Sequence, residues 1–456
     1  MKYAIVGTSH AGYEAAQTIL EAQPDAEINL YEAGSTASFL SCGIQSYLEG
    51  ESESLDDLHY ANEASYKEQG INIMVNTEVV SFDGDAKTVT VKTSEGERTD
   101  DYDKLILSPG AIPTPLPVDG VDAENVFYLR GRDWAQKVHD RMKDAKKVVV
   151  VGGGYIGIEA AEAYALAGID TTVIDFQDRI LPTYLDEEFT DILTKNAESH
   201  GLTFHGGEGV QSFETKDGKV SAVVTDKNTY EADTVIVSIG IKPNTKWLEG
   251  LVDMDQKGFI EVNEKHETSV KDVYAAGDAT LVPFSPTGKK VSYALASTAR
   301  RQGIVAAKNA LGEEATIRPV SGTSGLHLFD YEFSTSGIKD SNADWYDGEV
   351  DSKYVTARLR PTFFTELNDD NNTVYMQINF DKESHVVLGA QFMSKGSVGE
   401  LGNIMSVVID HKMTLEELEA QDFFFQPEFD GPWHPINVLA MQALGRTYGS
   451  DKMLFM

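Results

Sequence analysis

Two stretches of the chain carry the same order of apolar and polar positions. Residues 2–32 run as an apolar strand, KYAIVG, a small-residue turn, GTSHAG, a helical pattern, YEAAQTILEAQ, and a second strand, EINLYE, that closes on Glu32. Residues 147–175 repeat this order as KVVVVG, GGGYIG, IEAAEAYALAG and TTVID, closing on Asp175. The pattern predicts one βαβ unit used twice, with an acidic residue in the same place each time. Between the two, TVTVKT alternates as an antiparallel strand, and DKLILSPGAIP is a buried strand ending in a Pro/Gly turn. TPLPVDG reads as the connection between units. DTVIVSIGIKPNT repeats the strand-to-turn pattern inside the second unit. DVYAAGDAT follows, and then a helix, ALASTARRQGIVAAKNAL, with small residues on one face. From about Ser321 the character changes to alternating strands, TVYMQINF and HVVLGAQFMS, followed by a helical region and an aromatic tail. The expected fold class is α/β, with two Rossmann-like dinucleotide-binding domains and a C-terminal α+β domain.

The chain has 456 residues, a length that predicts two to four domains. A net charge of −35 argues against nucleic acid or an anionic membrane surface as partner, since both need basic patches. No run of about 18 apolar residues is present, so no membrane span is expected. The apolar stretch in MKYAIVGTSH is too short for a signal peptide. One cysteine, Cys42, and no targeting signal point to a reducing cytoplasm.

In GGGYIG, Gly152, Gly154 and Gly157 fit G-x-G-x-x-G. Such glycines permit a tight turn and a close approach of backbone N–H groups to a pyrophosphate at a helix N-terminus. Asp175 stands about 20 residues on, where a carboxylate accepts hydrogen bonds from ribose hydroxyls and repels the extra phosphate of NADP. Arg179, close by, pulls the other way. The first unit keeps Gly7, Gly12 and the acid Glu32, but has Ser9 in place of the middle glycine. Asp278, after Gly277 in YAAGDA, is a second acidic candidate at the nucleotide.

Cys42 lies in SFLSCGIQSYLEG, where Ile44, Tyr47 and Leu48 have helical spacing and Gly50 is a stop signal. That places the thiol at a helix N-terminus, where the dipole is expected to lower its pKa. The other reading is a buried apolar filler. His10 sits in the first glycine turn, and Glu14, four residues on, is in reach to pair with it.

GTSHAGYEA, SFLSCGIQSYLEG, SPGAIP, VVVVGGGYIGIEAAEA, DVYAAGDAT and DFFFQPEFDGPW together resemble the single-cysteine branch of the FAD-dependent pyridine nucleotide-disulfide reductases, over essentially the whole chain. The resemblance implies FAD on the first unit and NADH on the second. It implies an FAD domain in two parts, 1–115 and 245–320, an NADH domain over 116–244, and a C-terminal interface domain over 321–456 that makes a homodimer or homotetramer. Cofactor contacts are implied for Gly7, Ser9, His10, Ala11, Gly12, Glu32, Cys42, Ser108, Pro109, Gly110, Ala111, Arg130, Asp278 and Ala296. They are implied likewise for Gly152, Gly154, Tyr155, Ile156, Gly157, Glu159, Asp175, Tyr184, Gly240 and Ala294, and no metal is expected. In particular, Tyr155 is expected to swing aside and admit the nicotinamide.

The wider clan uses C-x4-C, and here Tyr47 stands where the second sulfur would be. What remains is one sulfur cycling between thiolate and sulfenic acid, or a mixed disulfide with a small thiol. In the peroxidase branch the resemblance puts an arginine at Arg300 and a glutamate at Glu14. YLRGRDWAQK also looks like that branch, and DFFFQPEFDGPW does not look like a coenzyme A disulfide reductase. The expected activity is therefore NADH-dependent reduction of hydrogen peroxide to water, with Cys42, His10, Arg300 and Glu14 catalytic. The alternatives are a water-forming NADH oxidase using oxygen, and a flavin-bound redox sensor with little turnover.

Overall fold

The repeated sequence order folds as a repeated unit. In a computed structural model, which describes residues 1–358, 373–426 and 432–446, β1 (Lys2–Val6) leads into α1 (His10–Ala22) and returns as β2 (Glu27–Tyr31). After α2 (Ile44–Leu48) come β3 (Asn72–Met74) and β4 (Lys104–Leu107), giving a parallel sheet in the order β4-β1-β2-β3. Apart from Asn29, the buried positions of β1, β2 and β4 are Val, Ile, Leu, Ala and Tyr, as in a parallel sheet covered on both faces.

The second unit starts with β5 (Val126–Tyr128) and continues through β6 (Lys147–Val151), α3 (Tyr155–Leu166), β7 (Asp170–Ile174), α4 (Glu187–Ser199), β8 (Leu202–His205) and β9 (Thr234–Val237). Its parallel sheet runs β8-β7-β6-β9-β5. Register is the same in both units: Val6 lies beside Tyr31, and Val151 beside Ile174. The residue after each first strand is therefore a turn glycine, and the residue after each second strand is the acid.

The chain then returns to the first sheet. β10 (Val273–Ala275) pairs in parallel with β4, and α5 (Ala296–Ala310) packs along α1. Small residues make that packing close. A Cβ on Gly303 would lie 2.2 Å from the Ala11 carbonyl oxygen, so no other residue fits without parting the helices. Ala15, Ala16, Ala299, Ala306 and Ala307 line the rest of the contact, and Ile19 is fully buried beneath. A buried isoleucine of this kind contributes about 2 kcal/mol.

The last unit is an antiparallel sheet ordered β11-β12-β15-β14-β13, from β11 (Ser324–Leu328), β12 (Tyr331–Gly337), β13 (Val350–Arg358), β14 (Thr373–Asp381) and β15 (Val387–Ser394). Its core includes Val374, Met376, Ile378 and Phe392, with Met405 and Ile409 of α6 (Gly399–Asp410) and Leu439 of a helix over Pro435–Ala443. Of the DFFFQPEFDGPW motif, residues 427–431 lie outside the described residues. Among the described residues no helix is long and apolar enough to cross a membrane.

Candidate active site

The two glycine turns have one geometry. A Cβ on Gly12 would lie 1.9 Å from the Gly7 oxygen, and one on Gly157 would lie 2.0 Å from the Gly152 oxygen. Gly7 (φ +91°) and Gly152 (φ +109°) adopt the left-handed backbone and press on the next strand end, with Cβ positions 2.2 Å from the oxygens of Ser108 and Ser238. Both acids then close on the turn. Glu32 Oε2 accepts from the Thr8 N–H at 3.3 Å and the Thr8 hydroxyl at 2.6 Å, while Oε1 accepts from the Gly34 N–H at 2.8 Å. Asp175 Oδ2 accepts from the Gly153 N–H at 2.6 Å and Oδ1 from the Gln177 N–H at 2.8 Å.

A cleft of about 460 Å³ runs from Glu32 past Gly7, Thr8 and Ser9 to Ser108, Pro109, Gly110, Ala111 and Arg130. It continues into a cavity of about 500 Å³ that contains Cys42, His10, Ala11, Ile156, Glu159, Asp278, Ala294 and Ala296. Ser9, Ser41, Ser108, Gly110 and Arg130 line both, so the two are one trough that ends at the sulfur. Its length suits an elongated dinucleotide, for which Glu32 would hold a ribose, the glycine turn at the head of α1 the pyrophosphate, and the Cys42 end the flavin ring. Arg130 Nη2 and Asp278 Oδ2 pair at 2.9 Å, so Asp278 meets a guanidinium rather than standing alone. Gly240 and Tyr184 do not line this trough. Gly240 (φ +101°) accepts a backbone hydrogen bond from Thr114 at 2.9 Å, and Tyr184 stacks on Tyr155 with ring centres 3.8 Å apart. Gly154 caps α3, the helix that Tyr155 begins. The Tyr155 hydroxyl lies 3.0 Å from Ser324 Oγ, which holds the ring between the second glycine turn and the Cys42 cavity.

Cys42 sits in a 3-10 turn, Ser41–Gly43, immediately before α2. The sulfur is open to the cavity. The expected lowering of its pKa is overturned: burial pushes the thiol up, and the Glu159 carboxylate adds to that. Its own backbone N–H and the Arg300 guanidinium pull it down, but by less. The reason is local, since a helix of five residues offers little dipole to oppose the loss of water. Tyr47 is buried, with its hydroxyl 3.2 Å from His139 Nδ1, so the place of a second sulfur is filled.

His10 is the first residue of α1 rather than part of the turn, and it lines the same cavity as Cys42. Of the two partners open to Glu14, His10 and Arg300, it pairs with Arg300 Nη1. Arg300 Nε donates to His10 Nδ1 at 3.3 Å, and this bond fixes Nδ1 as the acceptor and leaves the proton on Nε2. Burial and the Arg300 charge lower the His10 pKa against the Asp278 and Glu14 charges, which favours the neutral ring. Tyr60 completes the group: His10 stacks on it at 5.0 Å and 11°, and the Arg300 guanidinium lies 5.0 Å from the Tyr60 and Tyr13 rings. Neither tyrosine has a sequence spacing that marks it, because the contacts arise only when α5 closes on α1.

Three carboxylates gather on this side, with Glu159 on the cavity wall and Glu162 and Glu49 beyond it. Glu159 rises to about 7 from burial and the nearby Glu49 charge. Glu162, only 2% exposed, rises to about 8 from burial, against two hydrogen bonds that favour its charged form. Those bonds come from Gln45 Nε2 at 2.7 Å and from the Phe329 N–H. Gln45 also donates to Glu49 Oε1 at 2.9 Å. Arg179 is a further correction, because its guanidinium is bound to Glu187 and Asp191 instead of facing the ribose acid freely.

Comparison with known proteins places these features among relatives. Residues 1–303 match the family described as pyridine nucleotide-disulphide oxidoreductase, and residues 323–434 match its dimerisation domain. An NADH oxidase of Enterococcus faecalis is 39% identical over 447 residues, 97% of this chain and 99% of that one. The structure of a water-forming NADH oxidase from Lactobacillus brevis, bound to NADH, superposes with a TM-score of 0.93 at 36% identity, covering 98% of each chain. An NAD-dependent persulfide reductase from A. fulgidus also gives 0.93, at 28% identity, over 98% of this chain and 83% of that one.

Proposed function

The chain belongs to the pyridine nucleotide-disulphide oxidoreductases, and from that premise we propose that it is an FAD-dependent NADH peroxidase that reduces hydrogen peroxide to water at Cys42. The observation that carries this reading is the Arg300 bond to His10 Nδ1, which leaves the proton on Nε2 of a residue that lines the same cavity as Cys42. FAD, when bound, carries the electron pair of NADH to the sulfur.

The Cys42 thiolate attacks one peroxide oxygen, and the O–O bond breaks with its electron pair going to the other. His10 donates a hydrogen bond from Nε2 to that leaving oxygen, which takes up one proton from solvent, balancing the one the Cys42 thiol released on ionising, and departs as water. Because His10 is neutral, it stabilises the leaving oxygen without giving up its own proton. Arg300 holds the tautomer and supplies positive charge, while Glu14 offsets that charge and anchors the guanidinium. Two electrons from NADH then return the sulfenic acid to thiolate and release its oxygen as the second water. Tyr155 stands in the path of the nicotinamide. Turning it aside gives up one ring stack and one hydroxyl contact, together about 2 kcal/mol.

The relatives named NADH oxidase favour a second reading, in which oxygen is the acceptor and Cys42 removes the peroxide formed from it. The match of residues 323–434 to a dimerisation domain supports assembly as a homodimer or homotetramer. NADH consumption without oxygen, with added hydrogen peroxide, tests the primary reading. Turnover that needs oxygen would replace it with the oxidase, and no turnover with either acceptor would favour a sensor. Cys42→Ser is expected to abolish peroxide reduction while keeping the flavin absorbance, and a Ser variant with the full rate would end the thiolate mechanism.

A further inference from the structure

The coenzyme-binding turn contains a cation that the reaction does not use. After Asp175 the chain folds back over the second glycine turn, with the Leu181 N–H donating to the Gly153 oxygen at 2.8 Å. The Ile180 Cα lies 3.6 Å from where a Cβ on Gly153 would be. Arg179 thus belongs to a short return loop pinned at both ends to the turn that carries the ribose acid. Its guanidinium is drawn away along α4, where Nη2 binds Glu187 and Nη1 binds Asp191, acids one helical turn apart. The two acids are 68% and 50% exposed and Arg179 is 32% exposed, so the guanidinium is the more enclosed member of each pair.

We propose that Glu187 and Asp191 set the coenzyme choice of this enzyme, by holding Arg179 away from the site where the 2′-phosphate of NADPH would lie. The inference rests on the NADH-dependent reading and adds the residues that decide it. NADPH differs from NADH by one phosphate on the adenosine ribose. Beside Asp175, whose two oxygens already accept from Gly153 and Gln177, that phosphate meets like charge. A free arginine would answer it with paired N–H donors, the geometry for which guanidinium is best suited. Here three carboxylates, Asp175, Glu187 and Asp191, outnumber the one guanidinium. Asp178 and Lys227, of opposite charge, both lie close to Gly207 in the adjoining loop. Phe176, 71% exposed next to Asp175, offers an apolar face but no charge.

The test measures kcat/KM for NADH and NADPH on the FAD-loaded enzyme, with ferricyanide as electron acceptor. The ratio then does not depend on peroxide chemistry, and a loss of peroxide turnover would count only against the proposed function. The wild type is expected to favour NADH strongly. Glu187→Gln with Asp191→Asn is expected to raise the NADPH value about tenfold or more, the worth of one charge-assisted hydrogen bond, with the NADH value within about twofold. Adding Arg179→Ala to that pair should erase the gain. An unchanged NADPH value in the double variant, or a gain that survives Arg179→Ala, would overturn the proposal. If the double variant fails to retain FAD, Arg179→Ala alone decides: no change in NADPH use supports a sequestered arginine, and a fall shows that Arg179 already contacts the phosphate.

Discussion

Arg300→Met isolates the charge at the centre of the proposed site. Methionine keeps an unbranched apolar stem against Tyr13 and Tyr60 but removes the Glu14 ion pair and the 3.3 Å bond to His10. The pair is partly buried, at 33% and 22% exposure. Removing one member of a buried pair costs about 3–5 kcal/mol and of an exposed pair about 0.2–1. Discounting for the exposed third leaves a loss of stability of about 2 kcal/mol. The kinetic effect has two sources. The imidazole loses the bond that fixes its tautomer, and Cys42 loses a cation that pulls its pKa down. Together they are expected to slow the peroxide step about tenfold to a hundredfold. Stopped-flow mixing of reduced enzyme with hydrogen peroxide in the absence of oxygen measures that step, and flavin reduction by NADH in the same variant should be within about twofold of wild type. The His10 pKa, followed by the imidazole proton resonance, should rise, because the Arg300 charge is a cause of its lowering. A variant with wild-type peroxide rate and an unmoved His10 titration would refute the assignment of Arg300 to the site.

Two further outcomes follow from packing and burial. Gly157→Ala forces a Cβ to within 2.0 Å of the Gly152 oxygen and should weaken NADH binding more than FAD binding, with Gly12→Ala, at 1.9 Å from Gly7, giving the reverse; equilibrium titration of each coenzyme separates the two, and equal effects on both would contradict separate sites. Glu162 is raised from 4.5 to about 8, so its contribution to stability is full below the lower value and is lost as pH rises toward the upper one. Urea midpoints should fall across that window, and Glu162→Gln should flatten the fall; an unchanged slope would refute the burial argument.

Much of this architecture is legible in the residues themselves. The strand, glycine turn, helix and acid recur at matching spacing, and the register that sets Glu32 and Asp175 beside their turns follows from that recurrence. Cys42 is marked by being alone, and Tyr47 by its position. The contacts among His10, Tyr60 and Arg300 are not legible, because they join residues 50 and 290 positions apart through the closeness that Gly303 allows. The thiol pKa is misread from sequence because a helix start is visible in the pattern and the surrounding burial is not. Arg179 is misjudged for a related reason: its distance from Asp175 is apparent, but its capture by α4 appears only when the helix is placed.

Glu162 has a mechanical consequence. Its carboxylate joins α2, which carries Gln45 three residues after Cys42, to α3, which starts at Tyr155, and to the backbone of the C-terminal unit at Phe329. Three separately folded parts are thereby riveted together on the sulfur side of the cavity. A hinge between the two dinucleotide units would have to pull that rivet open in every turnover. On the proposed reading, the coenzyme is admitted without breaking that rivet by turning the ring of Tyr155, at the start of the same helix, so that the working stroke shrinks to the rotation of a single side chain.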